Sequence, residues 1–368
     1  MVLPDFGGGG AERIMVFLAN AFAGRGIETT FLAGRAEGPC LADLSTQVHL
    51  VDLGVSRFMR AVPKLVRHLN SSAPDAVLAA LTHANLGTLL AAQIARRGPR
   101  IVIGEHNSIT MLANVGRGPK HLVKTGLMRA LYPRADCITF VSHAMQAEFA
   151  ALLRLAPDRL QTIYNPVPVD RLCKQAASGP SHRWLVRKDS PVAVAAGRLT
   201  EQKDFPTLLR AFARMPPPTR LIVFGEGPDR AHLEALRAEL HLENRVDFPG
   251  FVDNLPAELA ASDLFVLSSR WEGLPGVLLE AMALDVPVVA TDCPTGPDEI
   301  LQHGRWGRLV PVAGTEELAT AIQATLAQPR GAPMAEALVR FAPEHIIDQY
   351  LSVLLPGRVS IDATASGD

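Results

Sequence analysis

The chain lacks the features that stabilise disulfide-linked or zinc-bound folds. Its four cysteines, Cys40, Cys137, Cys173 and Cys293, are far apart and form no CxxC pair. This spacing argues against a zinc site or a disulfide framework and suits a reducing compartment. No apolar run reaches the roughly 18–20 residues that a membrane span needs, and the first residues do not have the pattern of a signal peptide. The prediction is a cytoplasmic protein.

Net charge is also small, at −1 over 368 residues, but it is unevenly distributed. Residues 1–170 hold 17 Lys and Arg against 12 Asp and Glu, whereas the remainder holds 19 against 25. One interpretation is ordinary variation between two lobes. The other is a basic N-terminal lobe that faces phosphates or an anionic membrane.

Short β-rich runs alternate with helical patterns along most of the chain. Continuous apolar strands separated by helices predict parallel sheets that are covered on both faces. The alternation stops over residues 171–190, which are polar and basic and are interpreted as an irregular linker. The fold class is therefore α/β, with two doubly wound Rossmann-like domains, at residues 1–170 and 171–342. A C-terminal helix at about 343–356 is expected to pack back on the first domain.

Ligands of doubly wound sheets bind at the carboxyl ends of the strands, so ligand-binding residues are expected in the loops after strands. If the two domains face each other, these loops line one cleft. The first such loop contains Gly7–Gly10, between a short strand and a helix. Glycine lets the backbone approach a ligand, and a helix N-terminus suits a phosphate. The loop matches neither GxGxxG nor a P-loop, and the alternative is a flexible tail.

Arg198 and Lys203 lie in a second loop, after a strand that Gly197 ends. Two cations at a strand end can neutralise a diphosphate, with Arg as a planar fork and Lys as a point charge. The alternative is a pair of solvated surface cations.

Glu272 and Glu280 follow another strand, on either side of a Gly-Pro-Gly turn that opens a helix. Glu280 interrupts an apolar helical pattern, and a buried carboxylate needs partners. A polyhydroxyl ligand supplies them, because a carboxylate can accept several hydroxyl hydrogen bonds. In the first half, His106 follows a strand and is a further candidate, although a lone histidine is more often structural.

Together, the stretches GGGGAER, IYNPV, GRLTEQKDF, FGEGP and EGLPGVLLE resemble the retaining nucleotide-sugar glycosyltransferases of family 4, which have the GT-B fold. The resemblance implies that Arg198 and Lys203 bind the donor diphosphate and stabilise the leaving group. Loss of either cation is then expected to lower turnover more than stability.

The same resemblance implies that Glu272 contacts the hydroxyls of the donor sugar and that Glu280 contacts those of the ribose. Gly197, Gly273, Leu274 and Leu278 would line the donor site. Gly8, Gly9 and Gly10 would lie near the donor phosphates or the acceptor, and His106 near the transferred sugar. The family needs neither a metal nor another cofactor.

The predicted function is metal-independent transfer of a hexose or N-acetylhexosamine from a nucleoside diphosphate sugar, with UDP favoured, to a glycan or lipid-linked acceptor. The alternative is a two-lobed sugar-binding protein without transfer activity. No nucleic-acid partner is predicted. Residues 56–69 and 117–134 are basic and amphipathic, which suits either peripheral contact with an anionic membrane, at the inner face of the cytoplasmic membrane, or ordinary surface helices.

Overall fold

The computed structural model describes residues 1–108, 119–328 and 334–357, and the chain divides into two compact units. Unit 1 is Met1–Pro166 together with the stretch that begins at Pro343. Unit 2 is Val167–Ala342, so it begins four residues before the predicted boundary. Each unit is built on one parallel β-sheet with helices between the strands. The prediction of two doubly wound α/β domains is confirmed.

The sheet of unit 1 has seven parallel strands in the order β3-β2-β1-β4-β5-β6-β7. Its central strands are buried along most of their length, which is why they read in the sequence as apolar runs without alternation. The strands are β1 (Val2–Leu3), β2 (Thr30–Ala33), β3 (His49–Asp52), β4 (Ala76–Ala80), β5 (Arg100–Glu105), β6 (Cys137–Phe140) and β7 (Leu160–Thr162).

Helices connect these strands and bury their apolar sides against the sheet. Met15, Leu18 and Phe22 of the first helix, for example, all belong to the core of unit 1. The helices between the strands are α1 (Gly10–Gly24), α2 (Val62–Ser72), α3 (Thr82–Ile94), α4 (Pro119–Leu131) and α5 (His143–Leu153).

The sheet of unit 2 has six parallel strands in the order β10-β9-β8-β11-β12-β13. All five residues of β8 are buried, as are all four of β11 and of β12, and these strands form the middle of the sheet. The strands are β8 (Val192–Ala196), β9 (Arg220–Phe224), β10 (Val246–Gly250), β11 (Leu264–Leu267), β12 (Val288–Thr291) and β13 (Arg308–Val310).

The helices of unit 2 differ more in length than those of unit 1. The helix that follows β11 has eight residues and is buried along one side. The helices are α6 (Val169–Ala176), α7 (Arg183–Val186), α8 (Phe205–Ala213), α9 (Arg230–Glu239), α10 (Leu255–Ala261), α11 (Gly276–Ala283), α12 (Pro297–Leu301), α13 (Thr315–Leu326) and α14 (Ala335–Leu338).

The last helix, α15 (Pro343–Leu354), packs on unit 1 although it follows unit 2 in the chain. Tyr350 and Leu351 lie in the core of unit 1. Arg100 Nε of β5 donates a hydrogen bond to Val353 O at 2.5 Å. Val167 N donates to Phe341 O at 2.9 Å, so the first and last segments of unit 2 are hydrogen-bonded to each other.

The interpretation of residues 171–190 as an irregular linker is wrong. They contain most of α6 and all of α7, and both helices belong to unit 2. Trp184 and Leu185 are buried. Ser181 donates to the buried Glu258 Oε1 through both its N–H and its hydroxyl, each at 2.7 Å. The basic residues make this segment polar on average, but its few apolar side chains are buried within unit 2.

Of the two interpretations of residues 56–69, the structure favours the ordinary surface helix. Phe58, Val62, Leu65 and Leu69 are buried in unit 1, whereas Arg57, Arg60, Lys64 and Arg67 face solvent and Met59 is 41% exposed. The segment is therefore an ordinary surface helix packed on its own unit, with Pro63 in the first turn of α2. In the part of the chain that the structure describes, none of the helices is long and apolar enough to cross a membrane.

Candidate functional site

The loop between β8 and α8 presents the two predicted cations in different environments. Arg198 is exposed, whereas the side chain of Lys203 is only 14% exposed and points to Glu272. The aliphatic part of Lys203 packs over Gly197, where a Cβ would lie 2.7 Å from Lys203 Cε. Gly197 therefore leaves room for the lysine stem, and the lysine head reaches the loop that follows β11.

Glu272 is buried and is held by side chains from two loops. Lys203 Nζ lies 2.6 Å from Glu272 Oε1, which also accepts a hydrogen bond from Ser269 Oγ at 2.5 Å. Gln202 Nε2 lies 3.3 Å from Glu272 Oε2. A carboxylate has about four acceptor positions, so three are used and one remains on Oε2. Lys203 and Glu272, which the sequence assigned to a cation pair and a carboxylate pair respectively, thus form one ion pair with capacity for one further hydroxyl.

Residues that the sequence did not single out fix the position of this ion pair. Thr295 Oγ1 donates to the backbone oxygen of Glu272. Thr291 Oγ1 donates to Ser269 O at 2.6 Å, and Ser268 Oγ donates to Lys203 O at 2.7 Å. In the sequence, Ser268 directly follows β11, Thr291 is the last residue of β12 and Thr295 lies in the loop after it. We infer that they set the position of Glu272 rather than touch a ligand.

A second ion pair joins the same two loops. Arg270 Nε lies 3.2 Å from Asp204 Oδ2, and Asp204 is buried with a left-handed φ of 46°. Thr207 Oγ1 donates to the same carboxylate at 2.8 Å. Trp271, next in the chain, is buried and its Nε1 has no hydrogen-bond partner among the described residues.

Cys293 lies in the loop after β12, near Glu272. Burial raises the pKa of its thiol to about 12, and the Glu272 carboxylate raises it further while Lys203 opposes the shift. The thiol therefore stays protonated at neutral pH. A nucleophilic thiolate needs a lowered pKa, so Cys293 is not suited to covalent catalysis.

The loop after β9 packs backbone to backbone on the loop that carries Arg198. A Cβ on Gly225, whose φ is +130°, would lie 2.0 Å from Gly197 O. Leu199 N also donates to Glu226 O at 3.0 Å. Only glycine at position 225 permits this approach, so it fixes the base of the Arg198 loop.

Gly225→Ala is expected to lower the free energy of unfolding by about 3 kcal/mol, since it combines left-handed strain with a backbone clash. Chemical denaturation measures this change. Gly276→Ala is the matched control, because nothing lies within 4 Å of a Cβ there, and its expected effect is within about 0.5 kcal/mol. Equal stability of the two variants would contradict the packing described for the loops.

Helix α11 carries Glu280 on its accessible side. Gly276 is exposed and Val277 and Glu280 are half-buried, whereas Leu278 and Leu279 are buried. Glu280 is therefore less buried than the apolar pattern suggested. The side chains of Leu274 and Leu278 are packed inside unit 2. A donor in this loop would meet the backbone at Gly273 and Leu274 rather than those side chains.

In unit 1, His106 follows β5 and folds back over Gly104. A Cβ on Gly104 would lie 3.3 Å from His106 Nε2. His106 Nδ1 is buried and has no hydrogen-bond partner among the described residues. Burial lowers the pKa of the imidazole to about 4. His106 is thus neutral at pH 7, which suits a hydrogen-bonding role better than that of a proton acceptor.

Glu105, just before His106, anchors this strand end through a buried network that the sequence did not indicate. Its carboxylate accepts hydrogen bonds from Tyr132 Oη, from Asn85 Nδ2 at 3.0 Å and from Thr82 Oγ1 at 3.3 Å. Asn85 Nδ2 also donates to Gly104 O at 2.9 Å. Burial raises the pKa of Glu105, and these hydrogen bonds act against that shift. The network holds the backbone from which His106 projects.

The half-buried imidazole of His106 makes a testable contribution to stability at acidic pH. Unfolded His106 takes up a proton near pH 6.5, whereas the folded protein resists protonation down to about pH 4. Stability is therefore lost as the pH falls from about 6.5 to 4, and nothing is gained above pH 6.5. In denaturation at several pH values, His106→Asn is expected to weaken this dependence. An unchanged slope between pH 4 and 6.5 would show that His106 is not the responsible group.

The glycine loop of unit 1 lies between two carboxylates. Gly8 has a φ of +79° and Gly9 precedes α1, while Gly7, Gly9 and Gly10 are exposed. Asp5 Oδ1 accepts from Gly7 N at 3.0 Å, and a Cβ on Gly9 would lie 2.6 Å from Glu12 Oε2. Burial raises the pKa of Glu12, and Asp5 contributes to the rise. This acidic setting opposes a phosphate and favours hydroxyl groups.

The described residues of unit 2 thus bring Arg198, the Lys203–Glu272 pair and the loop before α11 to the ends of neighbouring strands β8 and β11. An exposed guanidinium binds anionic oxygens, and the carboxylates accept hydroxyls. Within the same residues, no group of three or more His, Cys, Asp or Glu side chains is arranged to hold a metal ion.

Comparison with solved structures places the architecture in a known class. The crystal structure of Anabaena Alr3699/HepE in complex with UDP matches with a TM-score of 0.79, at 24% sequence identity. The match covers 96% of this chain and 98% of that one. The two parallel-sheet units therefore form the GT-B fold of glycosyltransferases.

Two family models match the chain in succession. The model named Glycosyltransferase Family 4 covers residues 8–171, and that named Glycosyl transferases group 1 covers residues 190–328. Together they span both units, and the chain belongs to glycosyltransferase family 4.

Two relatives show how far sequence similarity extends. Lipopolysaccharide core biosynthesis glycosyltransferase LpsE of Rhizobium meliloti is 29% identical over 94% of this chain and 96% of its own length. A 4-alpha-N-acetylgalactosaminyltransferase of Campylobacter jejuni, whose name includes a diphospho-undecaprenol substrate, is 31% identical. That match covers 52% of this chain, and the chain spans about half of the relative, 51%.

Proposed function

We propose that the protein is a retaining, metal-independent glycosyltransferase that moves a hexose or N-acetylhexosamine from a UDP-sugar to a glycan or lipid-linked acceptor in cell-surface polysaccharide synthesis. One observation carries the proposal. The exposed Arg198 and the buried Lys203–Glu272 pair meet at the ends of neighbouring strands in unit 2. A sugar-binding protein would have no need for cations beside its carboxylates.

The reaction requires that negative charge develop on the leaving phosphate as the bond to the anomeric carbon breaks. Preorganised cations at that phosphate stabilise the transition state. Among the described residues, Arg198 forms no ion pair with a carboxylate, whereas Lys203 is paired with Glu272. We therefore assign the larger share of leaving-group stabilisation to Arg198.

A retaining course, as in the family that the sequence resembles, is compatible with the groups available. In a front-face reaction, the leaving phosphate accepts the proton of the acceptor hydroxyl, so the protein supplies no nucleophile. The Cys293 thiol has a raised pKa, and the Glu272 carboxylate is held by Lys203 and Ser269. Neither is poised to attack the anomeric carbon, which agrees with direct transfer on one face.

The two glutamates would accept hydrogen bonds from different hydroxyls of the donor. The open acceptor position on Glu272 Oε2 suits one hydroxyl of the transferred sugar. Glu280, half-buried on the accessible side of α11, suits the vicinal hydroxyls of the ribose. Gly197, Gly273 and Leu274 would contact the donor through their backbone.

Unit 1 would serve the acceptor and the transferred sugar. The acidic surroundings of Gly8, Gly9 and Gly10 favour acceptor hydroxyls over the alternative of donor phosphates. Neutral His106, with an unpartnered Nδ1 among the described residues, can bond a hydroxyl of the transferred sugar.

The relatives support the pathway and the nucleotide. LpsE is named for lipopolysaccharide core biosynthesis, and the Campylobacter relative for a diphospho-undecaprenol substrate. The Anabaena protein has been solved with UDP and with UDP-glucose. We place the protein in the cytoplasm, in peripheral contact with the inner face of the cytoplasmic membrane, where lipid-linked acceptors are available.

Thermal shifts with UDP, GDP and ADP, their sugars and the free sugars test this function. A ligand that binds only the folded state raises the melting temperature with its concentration. UDP and one UDP-sugar are expected to give the largest shifts, and that sugar should be transferred or hydrolysed to release UDP. Stabilisation by free sugars with no response to any nucleotide would instead favour a sugar-binding protein.

A further inference from the structure

The loop after β8 is bonded to the loop after β11 at successive residues. Gln202 O accepts a hydrogen bond from Arg270 N at 2.8 Å. Lys203 Nζ lies 2.6 Å from Glu272 Oε1. Asp204 Oδ2 lies 3.2 Å from Arg270 Nε, and Asp204 Oδ1 lies 3.4 Å from Arg270 Nη2. We name the contact between Asp204 and Arg270 the loop clasp. It is next to the Lys203–Glu272 pair in both loops.

The carboxylate of Asp204 is used for this contact rather than for the helix that follows it. An aspartate just before a helix usually accepts a hydrogen bond from a backbone N–H of the first turn. In the described structure of α8, the Asp204 side chain caps no backbone N–H. It accepts instead from Thr207 Oγ1 at 2.8 Å and from Arg270. The Asp204 side chain is only 3% exposed, so Arg270 supplies the charge that compensates a buried carboxylate.

The backbone at Asp204 indicates that this carboxylate has a role of its own. Its φ of 46° lies in the left-handed region, which glycine adopts freely and most other residues adopt only at a cost in free energy. Glycine would suit the backbone at this position but would leave the Arg270 guanidinium without its partner. Residues held in such conformations are concentrated at functional sites. Here the conformation keeps a carboxylate beside the two groups assigned to the donor.

We propose that the loop clasp is a positioning device for sugar transfer, in which Arg270, acting through Asp204, holds Lys203 and Glu272 in the geometry that the transition state requires. The inference rests on the proposed function, which places these two groups at the leaving phosphate and the donor sugar. Arg270 acts through other residues, so it is a positioning residue and not a catalytic one. A small displacement of Lys203 or Glu272 weakens transition-state contacts most, so its effect falls on kcat.

Steady-state kinetics of Arg270→Met and Asp204→Gly test the loop clasp, with the UDP-sugar that gives the largest thermal shift as donor. Each variant is expected to lose about ten- to a hundredfold in kcat, with the KM for the donor within about threefold of the unchanged protein. Asp204→Gly suits the left-handed backbone, so its loss reports the missing carboxylate. The double variant is expected to lose no more than either single variant, because either change opens the same contact. Arg270→Lys keeps a cation at Asp204 and is expected to recover part of the loss.

The matched control lies at the opposite ends of the same two strands. Lys188, which precedes β8, pairs with Asp263, which directly precedes β11, at 2.7 Å from Nζ to Oδ1. Lys188→Met opens that ion pair, and kcat is expected to stay within about twofold of the unchanged protein. An equal loss of kcat in Lys188→Met, or full kcat in Arg270→Met, overturns the proposal. A rise in KM alone also overturns it, because Arg270 would then contact the donor directly.

Chemical denaturation without any ligand separates this proposal from the proposed function. Arg270→Met, Glu272→Gln and the variant with both changes are compared with the unchanged protein. If the loop clasp positions Glu272 against Lys203, its loss already weakens that pair, so the midpoint shift of the double variant is smaller than the sum of the single shifts. Additive shifts overturn the loop clasp even if sugar is transferred. A protein that transfers no sugar from any UDP-sugar but shows this coupling keeps the loop clasp and loses the proposed function.

Discussion

Arg198→Ala is expected to lower the rate of sugar transfer by about a hundred- to a thousandfold, the usual cost of removing one preorganised group that stabilises transition-state charge. The free energy of unfolding should change by no more than about 0.5 kcal/mol, as for other exposed positions. The reason is the environment of the side chain, which is exposed at the end of β8. Steady-state kinetics and denaturation of the same preparation measure both quantities.

Two further variants sharpen this test. Arg198→Lys keeps the charge but loses the planar fork, so its activity is expected to fall between the unchanged protein and Arg198→Ala. Arg210→Ala removes another exposed arginine, from α8 of the same unit, and should leave transfer unchanged. Full activity in Arg198→Ala, or an equal loss in Arg210→Ala, would remove Arg198 from the mechanism.

Lys203→Met is expected to lower the free energy of unfolding by about 3–5 kcal/mol, because it leaves a buried carboxylate without its cation. Its activity is expected to fall as well. The side chains of Lys203 and Glu272 are only 14% and 8% exposed, with their charged atoms 2.6 Å apart. The expectation from sequence, that loss of Lys203 lowers turnover more than stability, therefore changes. Glu272→Gln should be destabilising for the reciprocal reason, since it leaves the ammonium unpaired.

A double-mutant cycle isolates the ion pair from other effects. The variant with both Lys203→Met and Glu272→Gln carries no unpaired charge, so its loss of stability should be about 2 kcal/mol or more smaller than the sum of the single losses. Denaturation of the four proteins gives the coupling energy directly. Strictly additive losses would show that the two charges do not interact as the structure describes.

The sheets and the loops after them could be predicted because both depend on local patterns. Buried parallel strands such as β8 and β11 are apolar throughout, so their ends, and hence Gly197 and Glu272, could be located. The helices at 171–190 could not be predicted, because three buried apolar side chains among many basic ones leave no periodic signal. Its helices form through contacts with distant residues, such as Ser181 with Glu258.

The hydrogen-bond partners of the charged residues could not be predicted from the sequence either. Glu272 is bound by Gln202 and Lys203, about seventy positions upstream, and Glu105 by Tyr132 and Asn85. These bonds depend on strand order, which brings β8 beside β11 and α3 beside β5. Whether an apolar side chain on a helix is covered likewise depends on packing, since Leu122 and Val123 of α4 are exposed whereas Leu65 and Leu69 of α2 are buried.

A crystal structure of the protein with bound UDP tests the assignment of the donor site to unit 2. We expect the diphosphate on Arg198 and beside Lys203, with the ribose hydroxyls on Glu280 and the loop at Gly273 and Leu274 against the donor. UDP bound only at the glycine loop of unit 1, or at a place remote from the β8 and β11 loops, would contradict the assignment of the donor site to unit 2.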